Sequence, residues 1–139
     1  NTIKAANEFG ITKGQTIAYV TDAAGNDDNC RRIVELAAEA DILFIEAPFL
    51  AEDGQTAARK FHLTARQAGL LARQARARRI VLFHFSPKYT GRRDELIGEA
   101  MAAFAGDEPL REKTFDRAAP CLYHPKQAEE QKEQVHDAQ

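Results

Sequence analysis

The chain has 139 residues, of which 44% are hydrophobic and 29% are charged. This length accommodates one globular domain and excludes two domains of ordinary size. The sequence contains no apolar run of 18 residues, so no transmembrane helix is predicted. It also does not open with a basic segment followed by an apolar one, so no signal peptide is predicted, and we expect a cytoplasmic protein. Two distant cysteines, Cys30 and Cys121, are predicted to be ordinary thiols rather than a disulfide scaffold or a cysteine zinc site.

The net charge of -2 conceals an uneven distribution of charge. Residues 1–58 carry four basic and ten acidic side chains, residues 59–93 carry ten basic and no acidic ones, and residues 94–139 carry five basic and eleven acidic ones. A basic segment without acids is typical of surfaces that bind nucleic-acid phosphates, because such contacts release condensed counterions. The alternative is a solvated helix face whose charges are balanced by acidic neighbours in space.

The apolar pattern predicts three strands and three helices that alternate along the chain. The strands are short runs of branched and aromatic residues, over Ile17–Val20, Ile42–Ile45 and Ile80–Phe83. Each is followed by a helix with apolar residues at i, i+3, i+4 and i+7. The first helix carries Ile33, Leu36, Ala37 and Ala40, the second Ala68, Leu71, Ala72 and Ala75, and the third Ile97, Ala100, Met101 and Phe104. This order predicts an α/β fold with helices on at least one face of the sheet.

Helix boundaries are predicted from capping residues. The predicted caps are Asp28 or Asn29 for the first helix, a capping box of Thr64 with Gln67 for the second, Asp94 for the start of the third and Gly106 for its end. Residues 107–139 lack apolar periodicity and are predicted to form a C-terminal extension that is partly disordered.

Four polar residues are predicted to meet at one edge of the sheet. Asp22 follows the first strand after one Thr, and Glu46 and His84 directly follow the second and third strands. His62 precedes the Thr64 cap by two residues and therefore faces the same edge. In open α/β sheets, ligands bind at the carboxyl ends of the strands.

Each of these residues has a structural and a functional interpretation. Structurally, Asp22 is a turn residue, Glu46 ends a strand, His84 bonds to the backbone and His62 begins a helix. Functionally, Asp22 and His84 are metal ligands, and His62 is a general acid oriented by Glu46. Together they indicate metal-assisted hydrolysis of a phosphate ester. Two ligands do not complete a catalytic zinc site, so either no metal binds or further ligands lie on another segment.

Four segments resemble the carboxyl-terminal half of the ribonuclease Z family, tRNA 3′-processing endoribonucleases of the metallo-β-lactamase superfamily. They are Ala18–Asp22, Ala40–Phe49, His62–Ala68 and Leu82–Tyr89, and the similarity covers about residues 16–105. The resemblance implies that residues 1–106 form half of an αββα sandwich, a mixed sheet flanked by helices.

The resemblance also implies roles for individual residues. Asp22 is expected to bridge two zinc ions and His84 to bind one of them, whereas Glu46 and His62 are expected to form a proton relay beside the scissile phosphate. Ser86 and Lys88 are expected to contact substrate phosphate, where Lys88 replaces a usual Arg and acts as a point charge.

The superfamily's His-x-His-x-Asp-His signature is absent from these 139 residues. The chain is therefore expected to be the second half of a longer enzyme and to be inactive alone. The expected partners are precursor tRNA, the amino-terminal half of the same enzyme and a second copy in a homodimer, with no membrane. The sheet is expected to expose the face that the other half covers.

Two other classes of function stay open. One is a stand-alone α/β module that binds a nucleotide or another anion without metal, although no Gly-rich phosphate loop follows the first strand. The other is a metallo-β-lactamase-fold hydrolase that acts on small esters.

Overall fold

The structure is a computed structural model, and it describes residues 13–106. Its strands are β1 (Ile17–Val20), β2 (Ile42–Glu46) and β3 (Ile80–Phe83), and its α-helices are α1 (Asp27–Leu36), α2 (Gly54–Arg59), α3 (Ala65–Gln74) and α4 (Arg93–Ala105). Two short 3₁₀ helices lie at Ala51–Asp53 and Pro87–Tyr89. The predicted extension over residues 107–139 lies outside the described residues. Among residues 13–106, no helix is long and apolar enough to cross a membrane.

The three strands form one parallel sheet in the order β1-β2-β3. Ile17 is in register with Ile42, and Leu43 with Ile80, so all three strands end at the same edge. This arrangement confirms the predicted α/β fold and the positions of the three strands. The prediction ended the second strand at Ile45, whereas β2 includes Glu46.

The helices cover one face of the sheet. Ala18, Val20, Leu43 and Ile45 point to that face and are buried. Helix α3 packs against β2, α1 and α4. The contact between α3 and α4 is especially close at Gly69, where a Cβ atom would lie 2.1 Å from the carbonyl oxygen of Ala100.

The opposite face of the sheet is apolar and partly open. Ile17 and Tyr19 are 60% and 59% exposed, although they lie in a strand. The Tyr19 ring lies 4.9 Å from the Phe83 ring and 6.1 Å from the Phe44 ring, between ring centroids. Three aromatic side chains, one from each strand, thus form a surface that we call the open face. This surface agrees with the expectation of an exposed sheet face.

The predicted caps of α3 and the end of α4 are confirmed. The Thr64 hydroxyl accepts the backbone N–H of Gln67, and the Gln67 side chain accepts the N–H of Thr64, which completes the capping box. The four predicted apolar residues of this helix are buried. Gly106 ends α4 in the left-handed conformation, with φ of 81°.

The other predicted helix boundaries are wrong. Asn26 caps α1, because its side chain accepts the backbone N–H of Asn29. Asp28 lies in the first turn of the helix, where a negative charge interacts favourably with the helix dipole. Helix α4 begins at Arg93, so Asp94 also lies in a first turn. The helix α1 ends at Leu36, which is exposed.

The predicted apolar stripe of α4 is partly wrong: Ala100 is buried and Phe104 packs against the core as predicted, but Ile97 and Met101 do not. Leu96, Ala100 and Ala103 are buried, whereas Ile97 and Met101 are partly exposed. Cys30 is buried and disulfide-bonded, contrary to the prediction of a thiol, and Cys121 lies outside the described residues.

Candidate metal and proton-transfer site

The structure brings the four predicted polar residues together at the carboxyl edge of the sheet. Asp22, Glu46, His62 and His84 each offer one nitrogen or oxygen atom, and these atoms all lie within 4.8 Å of one another. We call these four residues the site cluster. Three of them follow or end a strand, and His62 reaches the edge from the connection between α2 and α3.

The backbone around the site cluster is strained. Asp22 and His84 adopt left-handed conformations with φ of 52° and 62°, and Phe61, next to His62, has φ of 59°. Residues other than Gly seldom adopt this region, and each such residue costs about 1–3 kcal/mol. The left-handed conformations lie just after β1 and β3, where Asp22 and His84 meet Glu46 at the end of β2.

Glu46 lies at the centre of the site cluster and is completely buried. Its Oε2 accepts the backbone N–H of Asp22 at 2.7 Å, and its Oε1 accepts the N–H of Leu63 at 2.9 Å. The Nδ1 atoms of His62 and His84 each lie 3.2 Å from Oε2. These contacts offset the cost of burying a carboxylate, which is large for an unpaired charge.

The two imidazoles face each other across the buried carboxylate. Their ring centroids are 5.1 Å apart, and their planes are nearly perpendicular. A carboxylate only accepts hydrogen bonds, so the contacts with Glu46 place the ring proton of each imidazole on Nδ1. The Nε2 atom of each ring is then the atom free to bind a metal or to exchange a proton with a substrate. Phe49 supports His62 from the side, with ring centroids 6.2 Å apart.

The donor set fits a transition metal such as zinc. Asp22 and His84 have side chains that are 71% and 42% exposed, so a metal and further ligands can approach them. Carboxylate oxygen and imidazole nitrogen are both common zinc ligands. Two ligands are fewer than the three protein ligands of a typical catalytic zinc, so these residues supply part of a site.

Ser86 and Lys88 lie on the chain after His84 but do not join the site cluster. The Ser86 hydroxyl accepts the backbone N–H of Lys88 and caps the short helix at Pro87–Tyr89. The Lys88 ammonium lies 2.7 Å from a carboxylate oxygen of Asp53. Within residues 13–106, no hydrogen bond or ion pair connects either residue to the site cluster.

Sequence reasoning missed the buried phenol that supports this loop. Tyr89 is fully buried, accepts the backbone N–H of Leu50 at 3.1 Å and donates a hydrogen bond to Asp53. Burial, followed by the bond to Asp53, raises the pKa of Tyr89 to about 12. Hydrogen bonds from Lys88 and then Tyr89 lower the pKa of Asp53. No local motif links residues this far apart in the chain, so the sequence carried no signal for them.

The acid-free basic segment is partly neutralised by its surroundings. Besides the pair of Lys88 with Asp53, Arg92 makes a two-pronged contact with Glu95 at 2.7 and 2.8 Å. Arg78 lies 3.6 Å from a carboxylate oxygen of Asp41. For these three residues of the basic segment, the structure favours the second interpretation, in which acidic neighbours in space balance the basic charges of a solvated surface.

The chain is similar in sequence to known ribonucleases Z. Over 122 residues the chain is 43% identical to ribonuclease Z of Thermobifida fusca, covering 86% of this chain and 37% of the relative. It is 41% identical over 110 residues to ribonuclease Z of Bacillus cereus, covering 77% of this chain and 34% of the relative. The chain thus spans about a third of the length of these curated relatives.

A solved structure and a family match identify the fold. The metallo-beta-lactamase fold protein YhfI from Bacillus subtilis superimposes with a TM-score of 0.57 and 26% identity, covering 66% of this chain and 35% of that protein. Residues 7–85 match the family described as the Beta-lactamase superfamily domain. That match includes the whole site cluster and all three strands. The chain therefore belongs to the beta-lactamase superfamily and forms part of a metallo-β-lactamase fold.

Proposed function

We propose that this chain is part of a zinc-dependent phosphodiesterase that hydrolyses precursor tRNA at its 3′ end in the cytoplasm. One observation carries the proposal. The site cluster brings together two exposed side chains of the kinds that bind metal ions, Asp22 and His84, and the imidazole of His62, which is bound to a carboxylate. The identity of 43% to a ribonuclease Z supports the substrate class. Because the chain spans about a third of such relatives, we assign the activity to the complete protein.

In this proposal, His62 is the general acid and Glu46 is the residue that orients it. The buried carboxylate holds Nδ1 of His62 at 3.2 Å, which leaves Nε2 available to a substrate. A protonated His62 would donate its Nε2 proton to the 3′ oxygen as the phosphorus–oxygen bond breaks. Glu46 orients the ring, and positioned acids of this kind accelerate reactions by about 10²–10⁴-fold.

Asp22 and His84 are proposed to be the ligands that this chain contributes to two zinc ions. Asp22 would bind zinc through its exposed carboxylate, and His84 would bind zinc through Nε2. Zinc ions at this position would supply a nucleophile at neutral pH and neutralise charge on the scissile phosphate. The remaining ligands are proposed to come from the amino-terminal part of the complete enzyme.

Ser86 and Lys88 are proposed to contact substrate phosphate beside the site cluster. Both lie within four residues of His84, on a segment held by Tyr89. Lys88 would exchange the carboxylate of Asp53 for a phosphate oxygen; the Lys88 side chain is 54% exposed, and Asp53 would keep its hydrogen bond from Tyr89. Its role would be that of a point charge.

The open face is proposed to pack against the amino-terminal half of the same enzyme. Tyr19 and Ile17 are large apolar side chains on this side of the sheet with more than half of their surface exposed, so covering them is favourable. A sheet with helices on only one face is half of a sandwich. In the absence of that half, we expect two copies of the chain to associate, and we expect the complete enzyme to be a homodimer.

The test compares single substitutions in the complete protein, with precursor tRNA as substrate and zinc content measured for each variant. His62→Ala should lower turnover by about 10²–10⁴-fold with zinc content preserved. Asp22→Ala and His84→Ala should lower both turnover and zinc content. Asp28→Ala is the matched control for Asp22→Ala, because Asp28 is an exposed aspartate that contacts only surface arginines in the described structure.

The outcomes also separate the other classes of function. Equal loss of zinc in all three variants would contradict the division of roles. Cleavage of small esters with no cleavage of tRNA would indicate a different hydrolase of the same fold. A zinc-free protein that binds a nucleotide stoichiometrically would indicate a binding module.

A further inference from the structure

Building on the proposed function, we infer that Glu46 positions the metal ligands Asp22 and His84 as well as the proton donor His62, and that Glu46 does not itself bind metal. A single buried carboxylate would then determine both metal affinity and proton transfer. The inference rests on the hydrogen-bond donors that surround the carboxylate of Glu46.

The donors around Glu46 account for all of its capacity to accept hydrogen bonds. A carboxylate offers about four lone-pair directions on its two oxygens. Four donors approach them: the N–H of Asp22 and Nδ1 of His84 at Oε2, the N–H of Leu63 at Oε1, and Nδ1 of His62 at 3.2–3.3 Å from both oxygens. Since Glu46 is completely buried, a metal could bind it only by displacing one of these donors. Glu46 is therefore a positioning residue, although its oxygens lie close to the proposed metal ligands Asp22 and His84.

The contact with Asp22 fixes the first ligand through its backbone. Glu46 accepts the Asp22 N–H at 2.7 Å, and Asp22 has φ of 52°. This bond stabilises a conformation that non-glycine residues seldom adopt. In that conformation the Asp22 carboxylate extends from the strand end toward the imidazoles, with Oδ1 at 3.9 Å from Nδ1 of both His62 and His84.

The contact with His84 fixes the second ligand through its ring. The Nδ1 atom of His84 lies 3.2 Å from Oε2 of Glu46, which leaves Nε2 as the metal-binding atom. Thr21 contacts the same Nδ1 atom at a longer distance of 3.4 Å. A carboxylate behind a ligating histidine fixes the tautomer and orientation of the ring, and its loss typically weakens metal binding about 10–100-fold.

The first test measures zinc affinity of the complete protein by competition with a chromogenic chelator. Glu46→Gln should weaken zinc binding about 10–100-fold and also lower turnover, because an amide cannot accept all four donors. His62→Ala should lower turnover while zinc affinity changes less than about twofold. Glu35→Gln, which changes an exposed glutamate in α1, is the matched control and should alter neither quantity.

The second test reads the imidazole tautomers directly by long-range ¹H–¹⁵N NMR of the metal-free protein at a pH where the rings are neutral. The inference requires Nδ1-protonated His62 and His84 in the wild type, and loss of that tautomer at His84 in Glu46→Gln. This readout does not depend on activity. It also keeps the inference testable if Glu46→Gln fails to fold, because an Nε2-protonated His84 in the wild type overturns it.

The two tests distinguish this inference from the proposed function. Unchanged zinc affinity in Glu46→Gln overturns the inference even if the wild-type protein cleaves tRNA. Weakened zinc affinity in Glu46→Gln, with tRNA left intact by the wild type, supports the inference and refutes the proposed substrate. A similar loss of zinc affinity in His62→Ala would overturn the inference, since it would show that any change in the site cluster disturbs the ligands.

Discussion

Replacing Tyr89 by Phe tests how the loop beneath the site is held in place. The phenol oxygen accepts the N–H of Leu50 and donates to Asp53, and both Tyr89 and Leu50 are buried. Leaving a buried N–H without a partner costs about 1–3 kcal/mol. Losing the bond to Asp53 adds about 1 kcal/mol, since Asp53 keeps its contact with Lys88. We therefore expect Tyr89→Phe to lower the free energy of unfolding by about 2–4 kcal/mol.

The assay is urea unfolding followed by circular dichroism, with Asp53→Asn and the double variant completing a cycle. Because Tyr89 and Asp53 share a hydrogen bond, the double variant should lose less stability than the sum of the single variants. A Tyr89→Phe variant that loses less than about 0.5 kcal/mol would refute the reasoning. So would additive losses in the cycle, because they would show that the two side chains do not interact.

The same pair predicts how stability depends on pH. Burial and the bond to Asp53 raise the pKa of Tyr89 to about 12, from an ordinary value of 10.0. A raised pKa means that the protonated phenol stabilises the folded state fully below pH 10, and that this stabilisation is lost as pH rises toward 12. The lowered pKa of Asp53 contributes stability above its ordinary value of 3.8 that is lost as pH falls below it. The difference between wild type and Tyr89→Phe should therefore shrink between pH 10 and 12.

Three further predictions concern packing, capping and substrate contact. Gly69→Ala should destabilise the protein by about 1–3 kcal/mol in urea unfolding, because its Cβ would meet the α4 backbone. Gly98→Ala is its control and should stabilise by about 0.5–1 kcal/mol, since nothing lies within 4 Å of that position. Thr64→Ala should cost about 1 kcal/mol in the same assay by removing the capping box. Lys88→Ala should raise KM for precursor tRNA with little change in kcat, and an unchanged KM would contradict a phosphate contact.

Much of the fold could be predicted because its strands are short, continuous apolar runs. Such runs are typical of parallel strands in α/β proteins, and all three lie where the sequence predicts them. The phase of α4 could not be predicted in this way. Its sequence offers two apolar stripes, one through Leu96 and Ala103 and one through Ile97 and Met101. The close approach of α3 and α4 at Gly69 decides between them, because only small residues fit there.

The location of the site could be predicted from sequence, but its internal arrangement could not. The carboxyl ends of parallel strands meet at one edge, so the positions of Asp22, Glu46 and His84 were accessible from the strand boundaries alone. His62 could be placed at the same edge from its position before the Thr64 cap, but the burial of Glu46 and its contact with His84 depend on how the side chains pack. Likewise, the pairing of Tyr89 with Asp53 arises through space between segments without a shared motif.

The strain in the site and the burial of Glu46 explain each other. Asp22 and His84 adopt costly left-handed conformations, which persist only when their surroundings hold them. A buried carboxylate is costly by itself, and it is tolerated only when donors surround it. Two of the four donors that stabilise Glu46 are the backbone of one strained residue and the ring of the other. Neither feature would be stable without the other, so removing the carboxylate should relax both strand ends together and separate the two ligands.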